Sequence, residues 1–269
     1  MRHRRLTTLA VLGAAALTLS ACGGGGDGGN DKAAGGDSEI KLIEDGKLLT
    51  CTHLPYKPFQ FSEGGDTVGF DVDIVHEIAK DLGVKQEIVD TPFEGINTGE
   101  DLNTLKCDIA AAGMTITEKR EQVLDFSKPY FDATQALLVK SDAEYKSLEE
   151  LSGKKLGVQL STTGEIYAKD KAPDDVELVQ FEDLALLQTA VKTGQVDAGI
   201  NDNGVLLDYA KDHDDVKVTK EFDTGEQYGL AVKTDNKALL DQVNKTLDRI
   251  KSDGTYDEIY AKWFPKSDS

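Results

Sequence analysis

Apolar positions recur along this chain in two alternating rhythms. The stretch LLTCTHL at 48–54 reads as a strand, and DVDIVHEIAKDLG at 71–83 then places Ile74, Val75, Ile78, Ala79 and Leu82 on one helical face before Gly83 ends it. VKQEIVD and CDIAAAG are strand-like, with a short helical stretch between them. The pattern restarts at KKLGVQL, a helix through Glu165–Lys169, and VELVQF, and continues with the helical LALLQTAVKTG, the strand VDAGIN and the helical GVLLDYAKD. YGLAVK is a last strand and ALLDQVNKTLDRIKSDG a long amphipathic helix. Strand and helix in alternation predict an α/β fold with mostly parallel sheets flanked by helices. A single sheet holding all these strands would be large, so two lobes are expected.

Composition narrows what such a fold does. The chain has 269 residues with 30 Lys+Arg against 49 Asp+Glu, a net charge of −19. That surface repels phosphate backbones, which argues against nucleic-acid binding. The recurring aliphatic runs argue against a disordered acidic tail.

The first residues read as an address. Arg2, Arg4 and Arg5 precede an apolar run from Leu6 to Leu19 that closes at LSAC, the form of a secretory signal peptide over 1–21. The small residues before Cys22 resemble the lipobox of bacterial lipoproteins, which implies cleavage there and a lipid on its sulfur. Cleavage leaves 27 basic residues against 49 acidic ones, a net charge of −22. From Gly23 to Gly36, eight of fourteen residues are Gly, so 22–38 is expected to be a flexible tether from the membrane, with the folded body starting near Glu39. Such a tether reaches roughly 20–24 Å. Cys51 and Cys107 remain in strand-like segments of the body. An extracytoplasmic setting invites a disulfide between them, with two buried free thiols as the alternative.

Six strings then occur in order over nearly the whole body: PYKPFQF, GFDVDIVHEIAKDLG, AGMTITEKR, DFSKPYF, EQYGLAVK and DGTYDEIYAKWF. Together they resemble the bacterial extracellular solute-binding proteins, family 3, which deliver polar amino acids to ABC transporters. The resemblance implies a periplasmic-binding-protein-like fold, two lobes joined by two crossing strands with the ligand in the cleft between them. The crossings are expected near Leu137–Lys140 and Leu230–Lys233. That assigns 39–136 plus 232–269 to lobe 1 and 137–231 to lobe 2. It also implies a monomer that docks on a membrane permease, performs no bond chemistry, and needs no cofactor or metal.

An α-amino acid is a zwitterion, so its site needs a cation and an anion that leave water together, each paired and hydrogen-bonded. Arg120 matches the family position that grips the carboxylate, and its planar fork suits two oxygens. The alternative is a solvated Arg paired with Glu118 or Glu121. Gly113, Thr115 and Thr117 precede it as candidate backbone and hydroxyl contacts. Asp202 matches the ammonium position and ends a strand, where α/β folds place ligands. Asn201 beside it is placed to reach the ligand side chain. In the turn LSTTGE, Thr162 and Thr163 are candidate contacts at a helix start, with a plain N-cap as the other reading for one of them. Tyr56 and Phe93 match the positions whose rings sandwich the ligand, whereas Phe59 and Phe61 are assigned to the core. Gln159 matches a position that contacts ligand side chains in some relatives.

His53 departs from the pattern, standing where many relatives carry an acid. An imidazole lacks that permanent charge, which weakens a Lys/Arg-specific site and leans towards glutamate or glutamine. The alternative is a His that only packs at the rim. Two other functions share this scaffold: a sensing lipoprotein that reports to a receptor, and a dehydratase, for which Glu165 and Glu226 are the available acids. His76-Glu77 lacks the second His of a zinc protease, and DHDD at 212–215 reads as a solvated loop.

Overall fold

The computed structural model of the chain describes residues 40–265. The signal peptide, Cys22, the glycine tether and Glu39 lie outside the described residues. In chain order come β1 (Lys47–Thr52), β2 (Phe61–Glu63), β3 (Asp66–Val68), α1 (Phe70–Leu82), β4 (Lys85–Asp90), α2 (Phe93–Asn97), α3 (Glu100–Asn103), β5 (Ile109–Ala110), α4 (Glu118–Glu121) and β6 (Leu124–Phe126). They are followed by β7 (Phe131–Lys140), β8 (Lys155–Gln159), α5 (Thr163–Lys171), β9 (Glu177–Phe181), α6 (Leu184–Thr193), β10 (Ala198–Asp202), α7 (Asn203–Lys211) and β11 (Val216–Tyr228). The described chain closes with β12 (Ala231–Lys233), α8 (Lys237–Asp253) and α9 (Thr255–Trp263).

Two five-stranded sheets result, ordered β4-β1-β5-β12-β6 and β11-β7-β10-β8-β9, and each is the centre of one lobe. The α/β class is as expected, but the sheets are mixed and not mostly parallel. β1 runs parallel to β4 and β5, and β8 parallel to β9 and β10. In contrast, β12 is antiparallel to β5 and β6, and β7 to β10 and β11. The reason lies in the connections. Parallel neighbours need a crossover, here a helix, whereas antiparallel neighbours do not. β7 and β12 enter their sheets directly from the other lobe, with no helix before them.

The chain leaves the first sheet after Phe126 and joins the second at Phe131; it returns between Tyr228 and Ala231. Leu137–Lys140, expected as the outbound crossing, lie inside β7, where Leu137 pairs with Ile200 and Val139 with Ala198. Their apolar side chains are fully buried, the environment of a central strand. YGLAVK divides at Gly229 and Leu230, because Tyr228 ends one sheet's strand and Ala231 starts the other's.

The helices follow their sequence signals. α1 buries Ile74, Val75, Ile78 and Ala79, and stops at Gly83 with φ 70°, a conformation glycine adopts without strain. α8 is capped by Asn236, which accepts a bond from Leu239 N, and buries Leu239, Val243, Leu247 and Ile250 along one stripe. It packs on α1, where Thr246 donates to Asp81 at 2.8 Å and Arg249 bridges Glu77 (2.7 Å) and Asp81 (2.9 Å). The last long helix therefore belongs to the first lobe. Cys51 and Cys107 are both buried, with Cα atoms 5.6 Å apart, a separation compatible with a disulfide. Among the described residues, no helix is long and apolar enough to cross a membrane.

Candidate ligand-binding site

The C-terminal ends of β1, β8 and β10 and the loops that follow them face one another across the two lobes and enclose a cavity of about 20 Å³. That is room for roughly one water. From the first lobe, His53, Tyr56, Phe93, Gly113, Thr115 and Arg120 line it. From the second come Gln159, Thr162, Thr163 and Asp202. These are ten of the twelve residues singled out from sequence. The other two are placed differently. Thr117 caps α4 by accepting from Arg120 N, and faces a neighbouring opening. Asn201 is buried behind the cavity, donating to Gln159 Oε1 at 3.0 Å and accepting from Tyr56 Oη at 2.8 Å.

Arg120 is 4% exposed and is not solvated on its helix. Its guanidinium donates to Asn97 Oδ1 (2.7 Å), Thr115 O (2.7 Å) and, across the cleft, Ser161 O (3.2 Å), all neutral oxygens. It also lies over the Phe93 ring, 5.3 Å from the centroid. Burial pulls its pKa down to about 10, while Asp202 and Glu226 act in the opposite direction. A buried cation without an ion-pair partner is costly. A ligand carboxylate would supply that partner.

The acceptor Ser161 O sits in a strained turn. Ser161 has φ 66°, an uncommon value for a residue with a side chain, held by its N–H to Glu165 Oε2 at 2.9 Å. Thr162 caps α5 and donates to Gln159 O at 2.7 Å, and it also lines the cavity. Glu165 is thereby a prop for the turn, and it does not line the cavity.

Asp202 is the anionic counterpart, also 4% exposed. It accepts from Gln135 Nε2 at 2.5 Å, from Tyr56 Oη at 3.0 Å and from Tyr228 Oη. Burial, and then the charge on Glu226, push its carboxyl up to about 6. Among the described residues, no cation forms an ion pair with it.

Two residues of this network were not assigned to the site from sequence. Gln135, in the middle of β7 and fully buried, places Nε2 between Asp202 Oδ1, Glu226 Oε1 (3.0 Å) and Thr163 Oγ1 (3.3 Å). Glu226 also accepts from the hydroxyls of Thr115 and Thr163, both at 2.7 Å, so those threonines serve a carboxylate of the protein. The usable signal for Gln135 was an amide inside the apolar run ATQALLV. Glu226 was weighed only as an enzyme's acid. A third omission is Gln60, 1% exposed and on the cavity wall, a polar residue between Phe59 and Phe61. Phe59 and Phe61 are core residues, as expected.

Gly113 shows how tightly the wall is built. Its φ is 54°, its N–H donates to the buried Asp71 at 2.7 Å, and a Cβ there would come within 2.8 Å of the Tyr56 ring. Gly113→Ala is expected to displace Tyr56 and to lower both thermal stability and ligand affinity, the latter about tenfold, for a strain of roughly 1–3 kcal/mol. Parallel melting and titration experiments check this; an unchanged affinity would separate Tyr56 from the ligand.

On the rim, Lys57 of the first lobe meets Asp208 (3.4 Å) and Asp212 (3.2 Å) of the second, so part of the acidic run 212–215 joins the lobes.

Comparison with known proteins agrees with this architecture. The family model described as bacterial extracellular solute-binding proteins, family 3, matches residues 48–266. The chain is 35% identical over 270 residues to the ABC transporter glutamine-binding protein GlnH of Bacillus subtilis, covering 97% of each. It is 32% identical to a probable histidine-binding protein of Neisseria gonorrhoeae, covering 96% of this chain and 94% of that one. Among solved structures, an ancestral arginine-binding protein bound to glutamine superposes with TM-score 0.78 at 44% identity, over 83% of this chain and 100% of the other.

Proposed function

The chain belongs to the bacterial extracellular solute-binding proteins, family 3, and from that membership we propose that it captures a polar L-amino acid outside the cell and delivers it to an ABC transporter permease. One observation carries the reading. A buried guanidinium and a buried carboxylate, Arg120 and Asp202, are brought from two lobes to one cavity, and each is hydrogen-bonded only to neutral groups. A zwitterion supplies a partner to both: its carboxylate to Arg120, its ammonium to Asp202. The rings of Tyr56 and Phe93 exclude water from the rest.

Arg120 and Asp202 are each only 4% exposed, so a ligand reaches them only when the lobes separate about their two connections, 127–130 and 229–230. Closure around the ligand then presents a surface that the permease reads. The acidic balance of the chain favours a partner with basic patches. We place the protein on the outer face of the cell membrane, anchored by a lipid on Cys22, and acting as a monomer. The relatives named above are binding proteins by name, which favours transport over catalysis. His53, standing in place of an acid, leans the ligand towards glutamate or glutamine.

Titration calorimetry tests the assignment. The purified protein is partly unfolded and dialysed to strip carried-over ligand, refolded, and titrated with the common L-amino acids. Saturable micromolar binding of one or a few is expected. Binding of none removes the amino-acid assignment and turns the search to peptides or opines.

We also assign a disulfide between Cys51 and Cys107. Closing a loop of this length stabilises a fold by about 4 kcal/mol in the chain-entropy model. Dithiothreitol, or Cys51→Ser with Cys107→Ser, is therefore expected to lower the unfolding midpoint markedly. An indifferent midpoint would mean two buried thiols.

A further inference from the structure

Beyond the zwitterion clamp, the cavity wall has a second polar face, made by His53 and Gln60 of the first lobe. Both carry an atom that is buried and without a hydrogen-bond partner among the described residues: His53 Nε2 and Gln60 Oε1. The chemical sense of each atom follows from its neighbours. His53 Nδ1 lies 2.9 Å from Thr91 O. A carbonyl only accepts, so Nδ1 carries the proton and, in the neutral ring, Nε2 is a bare acceptor. Gln60 Nε2 donates to His53 O at 3.4 Å, which fixes the amide orientation and leaves Oε1 as the acceptor. Two orphan acceptors on one wall ask for a donor. They offer nothing to a carboxylate.

The surroundings point the same way. A second opening of about 200 Å³ shares His53 and Phe93 with the cavity as lining residues, and its charged lining is Glu94, Glu182 and Asp183. Among the described residues, no Lys or Arg lines either space except Arg120, which the clamp already uses. An anionic side chain would thus meet two acceptors first and three carboxylates behind them.

We propose, resting on the amino-acid-binding reading above, that His53 and Gln60 select a ligand whose side chain ends in N–H donors, an amide or a guanidinium, and reject glutamate. The lean towards glutamate or glutamine drawn from His53 alone is thereby divided, because the two are isosteres that differ in whether the side-chain end donates. A buried polar group left unpaired penalises the wrong ligand heavily: sites built to hydrogen-bond a substrate group discriminate by 10⁴–10⁵ against analogues lacking it.

The test is a set of calorimetric titrations of the stripped protein at pH 8 with L-glutamine, L-arginine and L-glutamate. Glutamine or arginine is expected to bind at least 100-fold more tightly than glutamate. Tighter glutamine assigns an amide that ends at His53 and Gln60. Tighter arginine assigns a guanidinium that passes them into the acidic opening, and Glu182→Gln should then weaken arginine alone. In Gln60→Leu the preference over glutamate should shrink tenfold or more, with melting temperature checked to confirm the fold. Glutamate binding as well as either donor ligand overturns the selection while leaving the amino-acid function intact. Failure of all three and of every other amino acid removes both.

Discussion

Arg120→Ala is expected to raise the dissociation constant for the amino acid by roughly 30- to 4,000-fold, because truncating one partner of a buried, hydrogen-bonded charge pair costs about 2–5 kcal/mol. The ligand carboxylate then enters a cavity that holds Asp202, with Glu226 bonded to two of its wall threonines, and no cation. Arg120→Lys separates charge from geometry. A lysine keeps the charge, yet as a single point it cannot replace a fork that grips two oxygens while also holding Thr115 O and Ser161 O. Its affinity should fall between the two, at least tenfold below the parent. The thermal readout is sharper than the affinity. A ligand at a thousandfold excess over its dissociation constant stabilises the native state by about 4 kcal/mol. At the same ligand concentration that upshift should fall to about 2 kcal/mol in Arg120→Ala for a roughly 30-fold loss, and to almost nothing for a roughly 4,000-fold one. If ligand raises the melting temperature of the variant as much as that of the parent, the carboxylate is held elsewhere, with the start of α5 at Thr162 the first place to look.

The contrast between Arg120 and Gln135 shows what can be read from this chain and what cannot. Arg120 stands in AGMTITEKR, a local string whose turn and cap are both present, since Thr117 does accept the N–H of Arg120. Asp202 is legible for a topological reason: it ends β10, and strand ends face the cleft. The helices were legible through their apolar stripes and terminal glycines, as at Gly83 and Gly194. β11 was not, because VKVTKEFDTGEQY is polar at most positions and lies at the edge of its sheet, where one side needs no partner. Without β11 and β7 the sheets looked parallel and the crossing was placed inside a strand. Gln135, Glu226 and Gln60 fall in the same gap. Each becomes a site residue only through register or a loop fold, Gln135 because it pairs opposite Asp202 across β7 and β10. No local pattern marks an amide for that role. The His53 acceptor depended on Thr91 O, a contact between residues 38 positions apart.

Asp202→Asn should cost as much affinity as the loss of Arg120, and it carries a signature in pH that a packing defect lacks. In the ligand-free protein, burial and then the charge on Glu226 push the Asp202 carboxyl up from 3.8 to about 6. The folded chain thus binds this proton more tightly than the unfolded one. Its contribution is most favourable below pH 4 and is lost as pH rises through 6, a change on the order of 3 kcal/mol. Asp71, pushed up to about 7 chiefly by burial, acts in the same direction in both proteins and cancels in a comparison. The melting temperature of Asp202→Asn relative to the parent should therefore climb between pH 4 and 7, since only the parent buries a new charge over that range. Ligand binding runs the other way. An ammonium needs the ionised carboxylate, so at pH 5 the parent must release a proton to bind and its affinity should fall about tenfold from that at pH 7.5. Calorimetry in buffers of different ionisation heat reads that proton directly. The variant should bind weakly with a flat profile. A parent profile that is flat as well would move the ammonium to Glu226, whose hydrogen bonds from Thr115, Thr163 and Gln135 make it the next anion in the network. Glu226→Gln would then show the loss that Asp202→Asn did not.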